Sequence, residues 1–123
     1  MSSASDRQWL LETILDKLQV ALTYVDEQGI IVYLNKCASE RASDVPREVG
    51  TNIADCHKDT TNKEIARMFA EFKDGRREPH YYVGGRLGKK ELVTIIPVFE
   101  QETFVGCFAQ IHPLEVEGPE RSF

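Results

Sequence analysis

The chain has 123 residues, 41% hydrophobic and 28% charged, the composition of a single folded domain rather than a disordered segment. Its 15 Lys and Arg against 20 Asp and Glu give a net charge of −5 with the cations dispersed, the nearest cluster being Arg76, Arg77, Arg86, Lys89 and Lys90, so no nucleic-acid surface is expected. No apolar run approaches the roughly 20 residues that cross a bilayer, and the N-terminus lacks the basic and apolar regions of a signal peptide.

Cys37, Cys56 and Cys107 are an odd number of thiols without C-x-x-C spacing, which argues against a disulfide framework and against structural zinc. A reducing, cytoplasmic compartment is the expectation.

Residues 1–5 read as a polar leader. From Asp6 to about Leu18 an amphipathic helix is predicted: Trp9, Leu10, Ile14, Lys17 and Leu18 form an approximate stripe opposite Glu12 and Asp16. Such a terminal helix packs on its own domain or on a second copy, and the pattern leaves both open. Val20–Val25 and Ile30–Leu34 flank Asp26-Glu27-Gln28-Gly29 and predict a β-hairpin, Gly29 supplying the turn residue that needs positive φ. Asn35 is placed to cap a short helix from Lys36 to about Ala42, and Ser43-Asp44-Val45-Pro46 reads as a second helical turn that Gly50 breaks.

The most strongly written element follows. Thr61 and Glu64 have the spacing of a T-x-x-E capping box, and Ile65, Met68, Phe69 and Phe72 recur on one face until Gly75 stops the helix. Three strands are then expected, at Pro79–Val83, Glu91–Phe99 and Phe104–His112, with Gly84, Gly85 and Gly88 in a loop. Pro97 cannot donate to a ladder, so a bulge or an unpaired position is expected there. The fold class is α+β, a five-stranded antiparallel sheet with helices on one face and an N-terminal amphipathic helix. The organisation reads as an N-terminal helix over 1–18, a sensory domain over 19–113 and a linker over 114–123.

Over about Leu18 to Pro113 the sequence resembles a PAS domain. The residues that carry the resemblance are the hairpin ending in Tyr33-Leu34-Asn35, Gly50 ahead of Ile53-Ala54-Asp55-Cys56, the helix from Thr61 to Asp74, and the three closing strands. The resemblance implies the PAS fold and a non-enzymatic sensory module of a signalling or transcription-regulating protein. Such a module holds a small ligand between sheet and helices, or a partner on its surface, and transmits through its terminal helices to an output domain; a homodimer through the N-terminal helix is expected from its Trp9/Leu10/Ile14 stripe. The other reading is a ligand-free module for protein–protein contact.

Cys56-His57 ahead of the long helix resembles a Cys-His variant of PAS and is similar to haem-binding sensory PAS domains. That resemblance implies haem held by His57, with Met68, Phe69, Phe72, Ile96 and Phe108 lining the slot and Arg67, Lys58 or Arg86 meeting the propionates. Met68 or Cys107 is the candidate second metal ligand, Cys107 being the only thiol of the later strands, which contain no methionine. Against this stands the plainer reading, in which His57 orders a loop and the Met/Phe stripe is core. His80 and His112 read as strand residues rather than a metal pair. Cys56 offers a redox-sensing thiol or an inert buried one. The sequence lacks the neighbours of a flavin-adduct cysteine, a phosphate-binding Gly-rich loop and a hydrolase elbow.

Overall fold

A computed structural model describes residues 3–41, 47–86, 88–114 and 118–120. Helix α1 runs Ala4–Lys17. The Ser3 hydroxyl accepts the Asp6 N–H at 3.1 Å, and Asp6 in the first turn and Lys17 in the last complement the helix dipole. None of its residues is buried.

Strands β1 (Ala21–Asp26) and β2 (Ile31–Leu34) form the expected hairpin. The Asp26 carboxylate accepts from the N–H of Gln28 at 2.9 Å and Ile30 at 3.0 Å, and Gly29 takes φ 84°. Asn35 caps α2 as expected, but α2 spans only Lys36–Ser39. The helical turn anticipated at Ser43–Pro46 lies outside the described residues. A 3₁₀ turn, Ile53–Cys56, leads into α3, Asp59–Lys73.

The start of α3 corrects one expectation. The helix begins at Asp59 with Lys58 as N-cap and no side-chain cap bond, which places Thr61 and Glu64 inside it rather than in a capping box. Asp59 supplies first-turn negative charge instead, and Glu64 pairs with Arg67 at 2.7 Å. The end is as predicted. Arg76 N–H bonds the Glu71 carbonyl and Gly75 N–H the Phe72 carbonyl, both at 3.0 Å, with Gly75 at φ 110°, a Schellman stop.

Strands β3 (His80–Arg86), β4 (Lys89–Glu100) and β5 (Thr103–Pro113) complete an antiparallel sheet of order β2-β1-β5-β4-β3. Gly84 and Gly85, expected in a loop, pair with Glu91 and Lys90 inside the ladder, because both glycines keep extended backbone and the pairing continues to Arg86 opposite Lys89. Pro97 pairs with Cys107 on β5, while β3 reaches only to His80 opposite Ile95. Pro97 is thus a paired position, and the register shift expected near it sits just beyond, between Val98 and Phe99.

The core lies between the sheet and α3. Phe72 is fully buried, and its ring stacks on Phe104 with centroids 5.6 Å apart, while Phe69 meets Phe104 edge-on at 5.8 Å. Burying a phenylalanine of this kind contributes about 1.5–3 kcal/mol, so the Phe72 face is a principal anchor of α3 on the sheet.

Candidate functional site

Strand alternation decides which side chains the helices cover. On the inner sheet face three cross-strand rows follow from the register: Tyr82–Val93–Ile111, then Ile95–Ala109–Thr23, then Cys107–Val25–Ile31. Above them lie Ile53, Cys56 and His57 from the 3₁₀ turn, and Thr61, Ile65, Met68 and Phe69 from α3. Between these layers the packing leaves a cavity of about 110 Å³, with Arg47 also on its wall.

The roof is held by polar bonds that spare the cavity itself. Asn52 Oδ1 accepts the Ala54 N–H at 2.9 Å, and Asn62 Nδ2 donates to the carbonyls of Ala54 at 2.9 Å and His57 at 3.4 Å. His57 Nδ1 lies 2.7 Å from the Ile53 carbonyl oxygen. A carbonyl only accepts, so Nδ1 carries the proton, and in the neutral ring the lone pair is left on Nε2. His57 thus orders the loop and still presents a nitrogen that can accept or coordinate.

The sequence-predicted site residues divide. His57, Met68, Phe69 and Cys107 all line the cavity. Phe72 does not: it is packed one turn further along α3, between His80 and Phe104. Ile96 and Phe108, expected to line the slot, are directly paired with each other on the opposite face of the sheet. Their odd-numbered neighbours Ile95, Cys107 and Ala109 point inward instead, a parity that an unbroken apolar run does not reveal. Arg67 lies on the exposed side of α3 between Glu64 and Glu71, Lys58 caps α3 outside the cavity lining, and the Arg86 side chain is outside the described residues. Sequence reading missed Arg47 and Tyr82. Tyr82 is signalled by its alternation with His80, which packs against the inner-face residue Phe72; Arg47 has no such signal because it sits in irregular chain.

Burial pushes the Cys107 thiol up to about 12, so it is held neutral. A neutral thiol is a weak metal ligand. Among the described residues no group of at least three His, Cys, Asp or Glu side chains is arranged to hold a metal ion. A haem would meet His57 Nε2 here, but sites that bury ligands of drug size enclose about 300–1,000 Å³. The cavity's roughly 110 Å³ does not fit the macrocycle.

The residues that reach the helices' end of the sheet form a second cluster. Arg41 makes a bidentate pair with Glu91 at 2.6 and 2.7 Å, and its charge and that of Arg47 both act on the Tyr82 hydroxyl. Burial outweighs them and raises Tyr82 above the ordinary phenol value, so the hydroxyl remains a donor.

A five-stranded antiparallel sheet of order β2-β1-β5-β4-β3, roofed by short helices and one long helix over a small, partly open cavity, defines a two-layer α+β architecture. The family model described as PAS domain matches residues 11–106, and the chain belongs to the PAS domain family.

Solved structures carry the same fold. A C-terminal domain from Streptococcus mutans is 24% identical at a TM-score of 0.71, covering 85% of this chain and 83% of that one. A sensory box sensor histidine kinase from Vibrio cholerae is 18% identical at 0.63, covering 92% and 95%. The Aer2 receptor from Vibrio cholerae, described as a dual PAS-haem oxygen sensor, is 19% identical at 0.55, covering 79% and 96%. Among curated proteins none matches the chain. No helix among the described residues is long and apolar enough to cross a membrane.

Proposed function

We propose that this domain is a non-catalytic, cytoplasmic sensor in which a small, largely apolar molecule occupies the cavity between α3 and the sheet and biases the position of α1. The observation that carries this reading is the cavity itself, lined by Val25, Ile31, Met68 and Ile95 and roofed by a loop tied down through His57. The apolar walls of such a cavity lack dispersion partners across it, and a ligand that supplies them stabilises the arrangement of walls it binds. A signal requires that this preference differ between two arrangements of the terminal helix. The Asn35 side chain supports the coupling, because it bonds both β1 and α1.

Helix α1 leaves Leu10 38%, Leu11 53% and Ile14 47% exposed, neighbours at i+3 and i+4 that make one apolar face a second copy of the chain would cover. The domain then acts as a homodimer that passes its state to an output domain, in a signalling or transcription-regulating protein.

The test is thermal unfolding with hexan-1-ol against the variant Ala109→Leu, whose larger side chain fills the cavity floor. Ligand-dependent stabilisation of the wild type that is absent in the variant supports the reading; equal behaviour of the two sinks it. Haem through His57 is the finer alternative, favoured by the uncommitted Nε2 and disfavoured by the cavity's size. A Soret band after expression with haem, abolished by His57→Ala, would establish it, and its absence would remove it.

A further inference from the structure

The two edges of the sheet differ. On β2, the Ile31 N–H bonds the Thr51 carbonyl at 2.9 Å and the Gly50 N–H bonds the Ile31 carbonyl at 2.8 Å, so a neighbouring stretch of chain covers that edge. Among the described residues no strand pairs with the side of β3 turned away from β4. The direction of its backbone groups follows from the ladder. The Leu114 N–H bonds the Lys90 carbonyl at 3.0 Å, so even-numbered residues of β4 bond β5 and odd-numbered ones turn to β3. Glu91 and Val93 therefore exchange bonds with Gly84 and Tyr82, while Tyr81, Val83 and Gly85 point their N–H and C=O groups outward. His80–Arg86 contains no proline, no lysine and no register shift, three of the devices that protect an edge. Tyr81 and Val83 are 66% and 61% exposed there.

Beside this edge lies an open groove of about 400 Å³, with Thr60, Thr61 and Glu64 of α3 on one side and Tyr81 and Tyr82 on the other. In a chain laid along β3, residues opposite Tyr82 and Gly84 would turn toward α3 and its threonine hydroxyls. Those opposite Tyr81 and Val83 would lie on the other face, against an aromatic ring and a β-branched side chain. Opposite Gly85 there is no side chain to meet, and the next neighbour on that face is Lys90, paired with Gly85 in β4. Two strand spacings, about 10 Å, separate it from the added residue, within the joint reach of a lysine and a glutamate. Lys90 is exposed, and among the described residues no carboxylate pairs with it.

We propose that the β3 edge docks an extended segment of a partner protein, added antiparallel to β3 as a further strand of the sheet. Its acidic residue lies opposite Gly85 and pairs with Lys90, its aliphatic residues lie opposite Val83 and Tyr81, and small or hydroxyl residues alternate with them toward α3. Backbone bonding gives the affinity, and the single charge gives the register. Read from the N-terminus of the segment, the pattern is acidic, small, aliphatic, small, aliphatic. This surface is separate from the question of a ligand in the cavity and stands whether or not one binds.

The experiment adds the peptide acetyl-Ser-Glu-Thr-Val-Thr-Val-Thr-amide to the full chain and follows amide hydrogen exchange. In the free chain the N–H groups of Tyr81, Val83 and Gly85 should exchange faster than those of Tyr82 and Gly84, and saturating peptide should slow the first three roughly tenfold or more. Val83→Pro removes an outward N–H and no ladder bond, so the fold should survive while binding weakens roughly tenfold. Lys90→Glu should weaken binding roughly threefold, and a peptide with lysine in place of its glutamate should restore it. That charge exchange keeps the test decisive if Val83→Pro fails to fold. Exchange at the three positions that the peptide does not slow, or binding that neither variant weakens, overturns the proposal. Slowing that rises with protein concentration in the absence of peptide would assign the edge to a second copy of the chain and overturn it as well.

Discussion

The Asn35 side-chain amide donates to the Leu15 carbonyl oxygen at 2.8 Å, so the last turn of α1 is fastened to the first residue before α2 by a single side chain. The same side chain donates to the Val20 carbonyl at 2.9 Å and accepts the N–H groups of Leu22 at 3.0 Å and Ala38 at 2.9 Å. Asn35 is fully buried, and an amide is the one side chain that supplies both two donors and an accepting oxygen here. Replacing Asn35 by Asp keeps the acceptor that caps α2 and turns the two donations into contacts between oxygens. Hydrogen exchange should then show α1 and the 18–20 segment losing protection while α2 retains it. Asn35→Ala removes all four bonds and should destabilise the fold by about 3 kcal/mol or more in urea titration.

Gly106 packs where no side chain fits. A Cβ built there lies 2.3 Å from the Val25 carbonyl oxygen and 2.5 Å from the Tyr24 hydroxyl, which itself donates to the Val105 carbonyl at 3.3 Å. Backbone oxygen cannot move without breaking the β1–β5 ladder. Gly106→Ala should cost about 3 kcal/mol or prevent folding, against less than about 1 kcal/mol for Gly84→Ala, whose Cβ meets only side-chain atoms at 3.8 and 3.9 Å. Denaturant midpoints of the two variants make the comparison.

The Arg41–Glu91 pair joins the end of α2 to the start of β4, with side chains only 18% and 17% exposed. The Arg41 guanidinium is held above its ordinary value chiefly by its hydrogen bonds to Glu91. Arg41→Met should destabilise by about 2–4 kcal/mol, since a partly buried carboxylate loses its bidentate partner. Arg41→Lys should recover less than half of that, because an ammonium cannot form the planar fork. Chemical denaturation of the variants reads the difference.

His80 gives stability a pH dependence. Its ring packs on Phe72, and Nε2 lies 3.1 Å from Glu71 Oε2. Burial, with the nearby Arg76 charge, lowers its pKa below the ordinary 6.5, Glu71 only partly opposing this. The unfolded chain therefore binds the proton more readily than the folded one, and stability contributed by neutral His80 is present above pH 6.5 and lost as pH falls below it. In His80→Phe the loss of stability on acidification below that point should be shallower, as thermal melts across a pH series would show. An unchanged slope would mean that other groups carry the acid dependence.

The apolar face of α1 predicts association through that helix. Sedimentation of the chain should give a dimer that becomes monomeric when residues 1–18 are removed; a monomer in both cases would eliminate this interface.

Much of this architecture is legible in the residues. The Asp26–Gly29 turn, the Asn35 cap, the Met68/Phe72 face and the Gly75 stop each combine a local conformational demand with a residue that meets it. The site is less legible. Its floor depends on which parity of β4 and β5 faces inward, and a strand such as Leu92–Val98 is apolar on both faces, so Ile95 and Ile96 look alike until pairing places one in the cavity and the other opposite Phe108. Thr61 and Glu64 show the reverse failure, a capping pattern overridden when the 3₁₀ turn delivers the chain into the helix three residues early, with Lys58 in place of Thr61 as N-cap. Arg47 is invisible to any periodicity, because its position comes from a loop.

The central claim is that the space between α3 and the sheet binds a ligand. Besides Met1, Met68 is the chain's only methionine, and its side chain lines that space. Titrating methyl-labelled protein with hexan-1-ol should move the Met68 resonance saturably while Met1 stays fixed. A Met68 signal that does not move, or that drifts linearly together with Met1, would contradict the account.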